Sequence, residues 1–246
     1  MTSDEPGNDG AAGRTDFQRV VVPTPAGEVV ECGPRELLSD HATRFMMEHV
    51  AIPPSARVAE VGCGTGVLSI YAALAGAAQV TGTDIDDAAL SAARLNGHIN
   101  GVPQVRFLKG SLLDPVSGSL DLVIALLPHK PSPEPFSHRY YGGNDGTDLV
   151  IPVIGQAAKR LVGGGSLYLY LNSIANGPRV MDLFSRLFDV ALLAEKKRYF
   201  TRQEFDSLAP AMFAHLQALK EKGIASYFED DDGLFFMARV YEGKRR

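Results

Sequence analysis

The sequence predicts an α/β protein built on one mostly parallel sheet with helices on both faces. Three observations predict it. Short apolar runs alternate with helix-periodic segments from residue 57 to residue 172. Those runs lack the polar alternation of a sheet with one wet face. A glycine-rich turn, VGCGTG at residues 61–66, joins the first run to the next helix. The 246 residues, 45% of them hydrophobic, suffice for one full core.

The chain begins MTSDEPGNDGAAGRTD, and residues 1–18 read as a polar, acidic, disordered tail rather than a signal peptide. Arg19–Val22 and Glu28–Glu31 flank Pro-Ala-Gly as a hairpin. Residues 35–50 read as a cap helix with Leu37, Leu38, His41, Phe45, Met46 and His49 near one face, stopped by Pro53-Pro54. Residues 19–56 thus precede a core of residues 57–200. In that core Arg57–Val61, Gln79–Thr83, Val105–Leu108, Leu120–Leu127 and Ser166–Asn172 read as strands. Val67–Ala75 and Asp87–Asn100 read as helices, closed by Gly76 and Gly101. Thr147 reads as the cap of a helix running to Val162, turned back by Gly163-Gly164-Gly165. Val190–Phe200 is a further strand. Thr201-Arg202-Gln203-Glu204 is a capping box opening a helix to Lys222, bent at Pro210. Ile224–Phe228 and Leu234–Tyr241 flank Glu-Asp-Asp-Asp-Gly as a closing hairpin, so residues 201–246 complete the same domain. The Lys244-Arg245-Arg246 end is expected to fray.

Composition excludes some functions. A net charge of −5 makes the chain a poor grip for a phosphate backbone, so nucleic acid is disfavoured as a partner. Cys32 and Cys63 have no metal spacing and suit a reduced, cytoplasmic protein without a metal. No apolar run approaches the roughly 20 residues of a membrane span.

The glycine turn carries the chemistry. Gly62, Gly64 and Gly66 remove side chains where a ligand must approach the backbone. The turn lies at the carboxyl edge of the sheet, where α/β folds bind ligands. Glu60 precedes it, and Asp84 ends the next strand, where a carboxylate can take both hydroxyls of a ribose. The dinucleotide fingerprint needs a third glycine where Val67 stands, and an acid before the turn suits an amine better than a pyrophosphate.

EVGCGTGVLSIYAALAGAAQVTGTDID, residues 60–86, resembles the cofactor half of class I S-adenosylmethionine (SAM)-dependent methyltransferases. The likeness spans about residues 35–200. It implies a Rossmann-like fold, a seven-stranded sheet with an antiparallel C-terminal strand, and SAM as cofactor with S-adenosylhomocysteine as product. By this resemblance Gly62, Cys63, Gly64 and Gly66 form the cofactor turn, with Glu60 near the amino group. Asp84 holds the ribose, Ile85 packs on the adenine, and Ser111 and Leu112 flank its edge. Asp114 is either a second contact for the adenine amine or a loop cap.

The closest patterns are those of the small-domain group, which includes protein-glutamine and ribosomal-protein methyltransferases. HINGV, SLLDPV and YGGNDGTDLV carry that likeness. Those relatives end the fourth strand in Asn-Pro-Pro-Tyr, which holds a planar amide or amine. Here Leu126, Leu127, Pro128 and His129 stand in its place. Leu126 is expected against the cofactor. His129 is the candidate general base, or else a loop residue. Tyr141, with Tyr140, shapes the acceptor pocket or packs the loop. Lys130 is a candidate for a substrate carboxylate, and Asn144 for a substrate amine or for the turn itself. Asp40 and His41 are secondary candidates. The lost asparagine and the acidic surface favour a small-molecule acceptor (an amine, hydroxyl or acid), with a protein side chain such as glutamine as the alternative. A homodimer is possible through the segment after Thr201.

Overall fold

The computed structural model describes residues 16–246. The expected tail therefore lies mostly outside the described residues, but Phe17 and Gln18 already belong to a strand. That strand, β1 (Phe17–Thr24), pairs antiparallel with β2 (Gly27–Pro34) as a separate two-stranded sheet.

The main sheet has eight strands where seven were expected. β3 (Arg57–Val61), β4 (Gln79–Asp84), β5 (Val105–Lys109), β6 (Leu120–Ala125) and β7 (Leu161–Asn172) run parallel. β8 (Phe188–Phe200) and β10 (Gly233–Arg245) complete the path in the order β5-β4-β3-β6-β7-β10-β8, and short β9 (Phe228–Asp230) pairs with β10. β10 is antiparallel to β7, β8 and β9. Strand order reverses between β3 and β6, and in this fold class that crevice receives the ligand.

Strand alternation splits the core. Val58, Leu122 and Ile124 pack with Val67, Leu68 and Ile70 of α2 (Val67–Leu74), with Leu90 and Ala93 of α3 (Asp87–Ile99), and with Val22 and Val29 of the hairpin. Ala59, Val61, Val123 and Ala125 face the other way, onto Val150, Val153 and Ile154 of α4 (Val150–Arg160) and Val180 and Phe184 of α5 (Gly177–Leu187). A third, aromatic cluster joins Phe200 and Phe236 to Phe205 of α6 (Arg202–Leu208) and to Phe213 and Leu216 of α7 (Met212–Glu221).

Several sequence expectations need correction. The cap helix of residues 35–50 is a 3₁₀ turn at Arg35–Leu37 followed by α1 (His41–Met47). It breaks because the Asp40 side chain accepts from Ala42 and Thr43 N–H and so restarts the helix as its N-cap. Thr147 is not the cap of α4, whose flanking residue is Leu149. The helix expected from Thr201 to Lys222 splits at Ala209-Pro210-Ala211 into α6 and α7, although the Thr201 hydroxyl does cap Glu204 N–H at 3.0 Å. Helix α5 had no sequence assignment. The C-terminal basic residues do not fray: Lys244 and Arg245 are in β10, and Arg246 pairs with Asp189 at 2.7 Å.

Candidate active site

The carboxyl edge of β3, β4 and β6 opens into a cavity of about 330 Å³. Its wall carries Glu60, Gly62, Cys63, Gly64, Asp84, Ile85, Ser111, Leu112 and Leu126. Gly62 and Gly64 have φ of +69° and +54°, a left-handed backbone that makes the turn hug the cavity. The N–H of Gly64 donates to Asp84 Oδ2 at 2.8 Å, and the N–H of Asp86 to Oδ1 at 3.0 Å. The Asp84 carboxylate is thus fixed at the strand end, with lone pairs left for a ligand's hydroxyls. Glu60 is buried and accepts from Ser69 Oγ. Burial pushes its carboxyl up to about 8, so the ligand-free acid holds its proton near neutral pH and must release it to pair with a ligand ammonium. Ile85 is 58% exposed at the rim, an apolar platform for a planar base. These residues fit SAM: an acid for an ammonium, an acid for a diol, and an apolar shelf.

Gly66 differs from its neighbours. It is off the cavity wall, and a Cβ there would lie 2.7 Å from Phe107 Cζ, so this glycine lets the turn press onto β5. Asp114 takes the loop reading, since its Oδ1 accepts from Gln156 Nε2 at 2.9 Å.

Sequence reasoning missed what holds the turn in place. Glu31 of β2 is fully buried and accepts from Ser39 N–H at 2.7 Å, Ser39 Oγ at 2.6 Å and Thr65 Oγ1 at 2.5 Å. Asn96 of α3 bonds both the N–H and the C=O of Cys32, and the C=O of Thr65. The hairpin is therefore bolted to the glycine turn. An acid on the inward face of β2 was the available signal.

The strand tip corrects the largest expectation. His129 is 6% exposed. Asn172 N–H donates to His129 Nε2 at 3.1 Å, so Nε2 is the acceptor and Nδ1 carries the hydrogen. That Nδ1–H donates to Leu127 C=O at 2.6 Å. Burial pushes the imidazole pKa down to about 4. The ring is neutral with no free lone pair, so His129 is a brace and not a general base.

YGGNDG, residues 141–146, is a clasp around this tip. Lys130 N–H donates to Tyr140 C=O at 2.9 Å, Gly142 N–H to Lys130 C=O at 3.0 Å, and Ser132 N–H to Gly143 C=O at 3.1 Å. A Cβ on Gly142 would collide with the His129 backbone, and one on Gly146 would sit 2.5 Å from His129 C=O. Tyr141 is off the cavity wall, packed edge-on to Phe136 with ring centroids 5.6 Å apart. Asn144 is exposed, and its C=O accepts from His215 Nε2–H at 2.7 Å. Neither the catalytic reading of Tyr141 nor the substrate reading of Asn144 survives this placement.

Beyond the tip the cavity continues along Asp40, Lys130, Tyr140, Tyr170, Asn172 and Arg198, with His41 beside them. The Lys130 ammonium sits 4.7 Å from the Tyr140 ring centroid and 5.5 Å from that of Phe205, and burial lowers its pKa. Arg198 pairs with Glu204 at 3.3 Å. Asn172 is 7% exposed, and its side-chain oxygen is buried with no hydrogen-bond partner among the described residues. Tyr170, Asn172, Arg198 and Glu204 were not foreseen, because they come from the ends of β7 and β8 and from α6 and share no local motif.

A glycine turn backed by a strand-end acid on this sheet order defines a class I, SAM-binding methyltransferase core. Residues 37–203 match the family model described as methyltransferase small domain, and the chain belongs to that family. It is 37% identical over 127 residues to the release factor glutamine methyltransferase of Deinococcus radiodurans, covering 47% of this chain and 45% of that one. It is 28% identical over 147 residues to a putative protein N5-glutamine methyltransferase of Methanocaldococcus jannaschii, covering 57% and 74%. A ribosomal protein L11 methyltransferase of Acetivibrio thermocellus is 49% identical over 69 residues, 28% of this chain and 22% of that one. The chain thus spans under half the length of the first of these relatives. In fold it is similar to the 16S rRNA N2 G1207 methyltransferase of T. thermophilus in complex with AdoMet and guanosine, with TM-score 0.60 and 14% identity over 94% of this chain and 51% of that one. The sequence relatives are named for protein substrates, which overturns the expected small-molecule acceptor. Among the described residues no helix is long and apolar enough to cross a membrane.

Proposed function

We propose that this chain transfers the SAM methyl group to an amide nitrogen on a protein side chain. The observation that carries this reading is the buried, unpartnered carboxamide oxygen of Asn172 on the acceptor side of the cavity. The sequence relatives named for glutamine support the substrate class. Leu126 stands where that group carries its asparagine, and Asn172 offers the missing chemistry from the neighbouring strand. Ala125 pairs with Leu169, so continuing that register puts Asn172 level with Pro128 at the tip.

An acceptor left unpaired in the interior costs about 1–3 kcal/mol, which an incoming amide N–H would recover. SAM, when bound, supplies a methyl group activated by its sulfonium. The chain's own part is placement. Asn172 holds the amide plane, Tyr170 walls one side, and the clasped tip keeps Leu126–Pro128 fixed between donor and acceptor. Alignment and exclusion of water supply most of the effect in such a transfer. His129 takes no proton, because both its nitrogens are committed, and the proton of the methylated amide leaves to solvent.

Incubation with methyl-labelled SAM and a fractionated cell extract tests the reading. Label on a protein band, in an amide after hydrolysis, is the expected result. Label confined to the fraction below a few kilodaltons would overturn it. Asn172→Leu should cut protein labelling on the order of 100-fold while SAM affinity stays within a few-fold.

A further inference from the structure

We infer that Arg139 holds the carboxylate at the amino-acid end of the cofactor. The glycine turn and the acids around it carry no cation for that group, and Arg139 belongs to no motif named above.

The segment from Pro131 to Tyr141 crosses the cavity mouth and is tied down at two places. His138 Nε2 meets Asp86 Oδ2 at 3.2 Å, and Arg139 Nη2 donates to Leu38 C=O at 3.0 Å. The guanidinium also leans on Tyr140, 5.8 Å from its ring centroid. Its other terminal nitrogen, Nη1, is buried and has no partner among the described residues. Among the described residues Arg139 pairs with no carboxylate. A guanidinium stays charged at any physiological pH, and a buried N–H without an acceptor is costly. Such a group is stable in place when a ligand completes it.

Position selects the ligand atom. Leu38 precedes Ser39, which bonds Glu31, which in turn bonds Thr65 of the glycine turn. Arg139 is therefore anchored on the flank of that turn, on the cavity wall shared with Gly62 and Gly64. The amino-acid end of SAM carries an ammonium and a carboxylate. Glu60 and Asp84 are acids and serve the ammonium and the ribose. The other cations on the wall are engaged towards the acceptor: Lys130 lies over Tyr140 and Phe205, and Arg198 pairs with Glu204. His138 is occupied by Asp86. At the start of α1 the Ala42 and Thr43 N–H groups are taken by Asp40. Arg139 is the cation left on this side, and its planar fork matches a carboxylate.

The test compares two ligands on the full chain by titration calorimetry. S-adenosylhomocysteine carries the carboxylate, and 5′-methylthioadenosine has the same nucleoside without the amino-acid end. Arg139→Met should weaken the first on the order of 10- to 100-fold and leave the second within about two-fold. Arg139→Lys should fall between, since an ammonium keeps the charge and loses the fork. Equal loss for both ligands would mean that Arg139 only shapes the mouth, and unchanged S-adenosylhomocysteine binding would mean that it does not touch the cofactor. Either result overturns the inference. None of these readings depends on the acceptor.

Discussion

The backbone N–H of Asn172 donates to Nε2 of His129 at 3.1 Å, and this bond fixes the protonation state of the strand tip. Nδ1 then carries the hydrogen given to Leu127 C=O, and burial pushes the pKa down from 6.5 to about 4. The folded pKa lies below the unfolded one, so the contribution is complete above pH 6.5 and is lost as pH drops towards 4. A shift of this size is about 3 kcal/mol. Urea denaturation at pH 7.5 and 4.5 should show that loss in the wild type and a smaller one in His129→Gln. Equal losses would show that the ring is not the titrating group.

Glu60 slopes the other way. Its folded carboxyl sits at about 8 against 4.5 in the free state, so the ligand-free protein loses stability as pH rises through that window. An ammonium needs the ionised form. Binding of S-adenosylhomocysteine should therefore strengthen by up to about tenfold per pH unit towards pH 8 and then level off. Glu60→Gln should be more stable than wild type at pH 8, bind more weakly there, and show a flat profile by calorimetry. Parallel profiles for the two proteins would remove Glu60 from the cofactor's amino group.

The cofactor half was legible because its residues are contiguous. Glu60, Gly62, Gly64, Asp84 and Ile85 sit at the ends of two neighbouring strands, β3 and β4, and the chain delivers them together to one sheet edge. The acceptor half was not. Asn172 and Tyr170 end one strand, Arg198 lies near the end of another, and Glu204 opens a helix, so only the sheet order brings them to Lys130. His129 was found as a tip residue, but its role depends on an N–H 43 residues away. Helix α5 was legible but went unassigned: Val180, Leu183, Phe184 and Leu187 repeat at helical spacing after the Asn176 cap. In YGGNDG, Gly142 and Gly146 answer to the close approach of the His129 backbone, which lies too far away in sequence to be read locally.

Glu31 offers a test of the bolt between the hairpin and the glycine turn. Glu31→Ala leaves the Ser39 N–H, the Ser39 hydroxyl and the Thr65 hydroxyl without their acceptor. Destabilisation of about 2–4 kcal/mol is expected, with weaker S-adenosylhomocysteine binding because Thr65 loosens. Thr65→Val removes one of the three bonds and should cost less than half as much. Thermal unfolding and ligand titration measure both. A Glu31→Ala protein that unfolds with the wild type would show that the carboxylate organises nothing.

The clasp makes a sharper claim, because neighbouring residues of one motif should behave oppositely. Gly142 lies against the His129 backbone with no room for a methyl group, and Gly146 combines a φ of +79° with contact at His129 C=O. Gly142→Ala and Gly146→Ala should each cost about 1–3 kcal/mol by overpacking and displace the tip. Asn144 lies between them in sequence, is exposed, and bonds through its backbone C=O, which substitution leaves intact. Asn144→Ala should stay within about 0.5 kcal/mol of wild type and keep full protein labelling. In the two glycine variants labelling should collapse while S-adenosylhomocysteine binding holds within a few-fold, since the glycine turn at residues 62–66 is built on other strands. If Asn144→Ala lost labelling with its fold intact, Asn144 would return as a substrate ligand and the clasp would be a second-order feature of the loop.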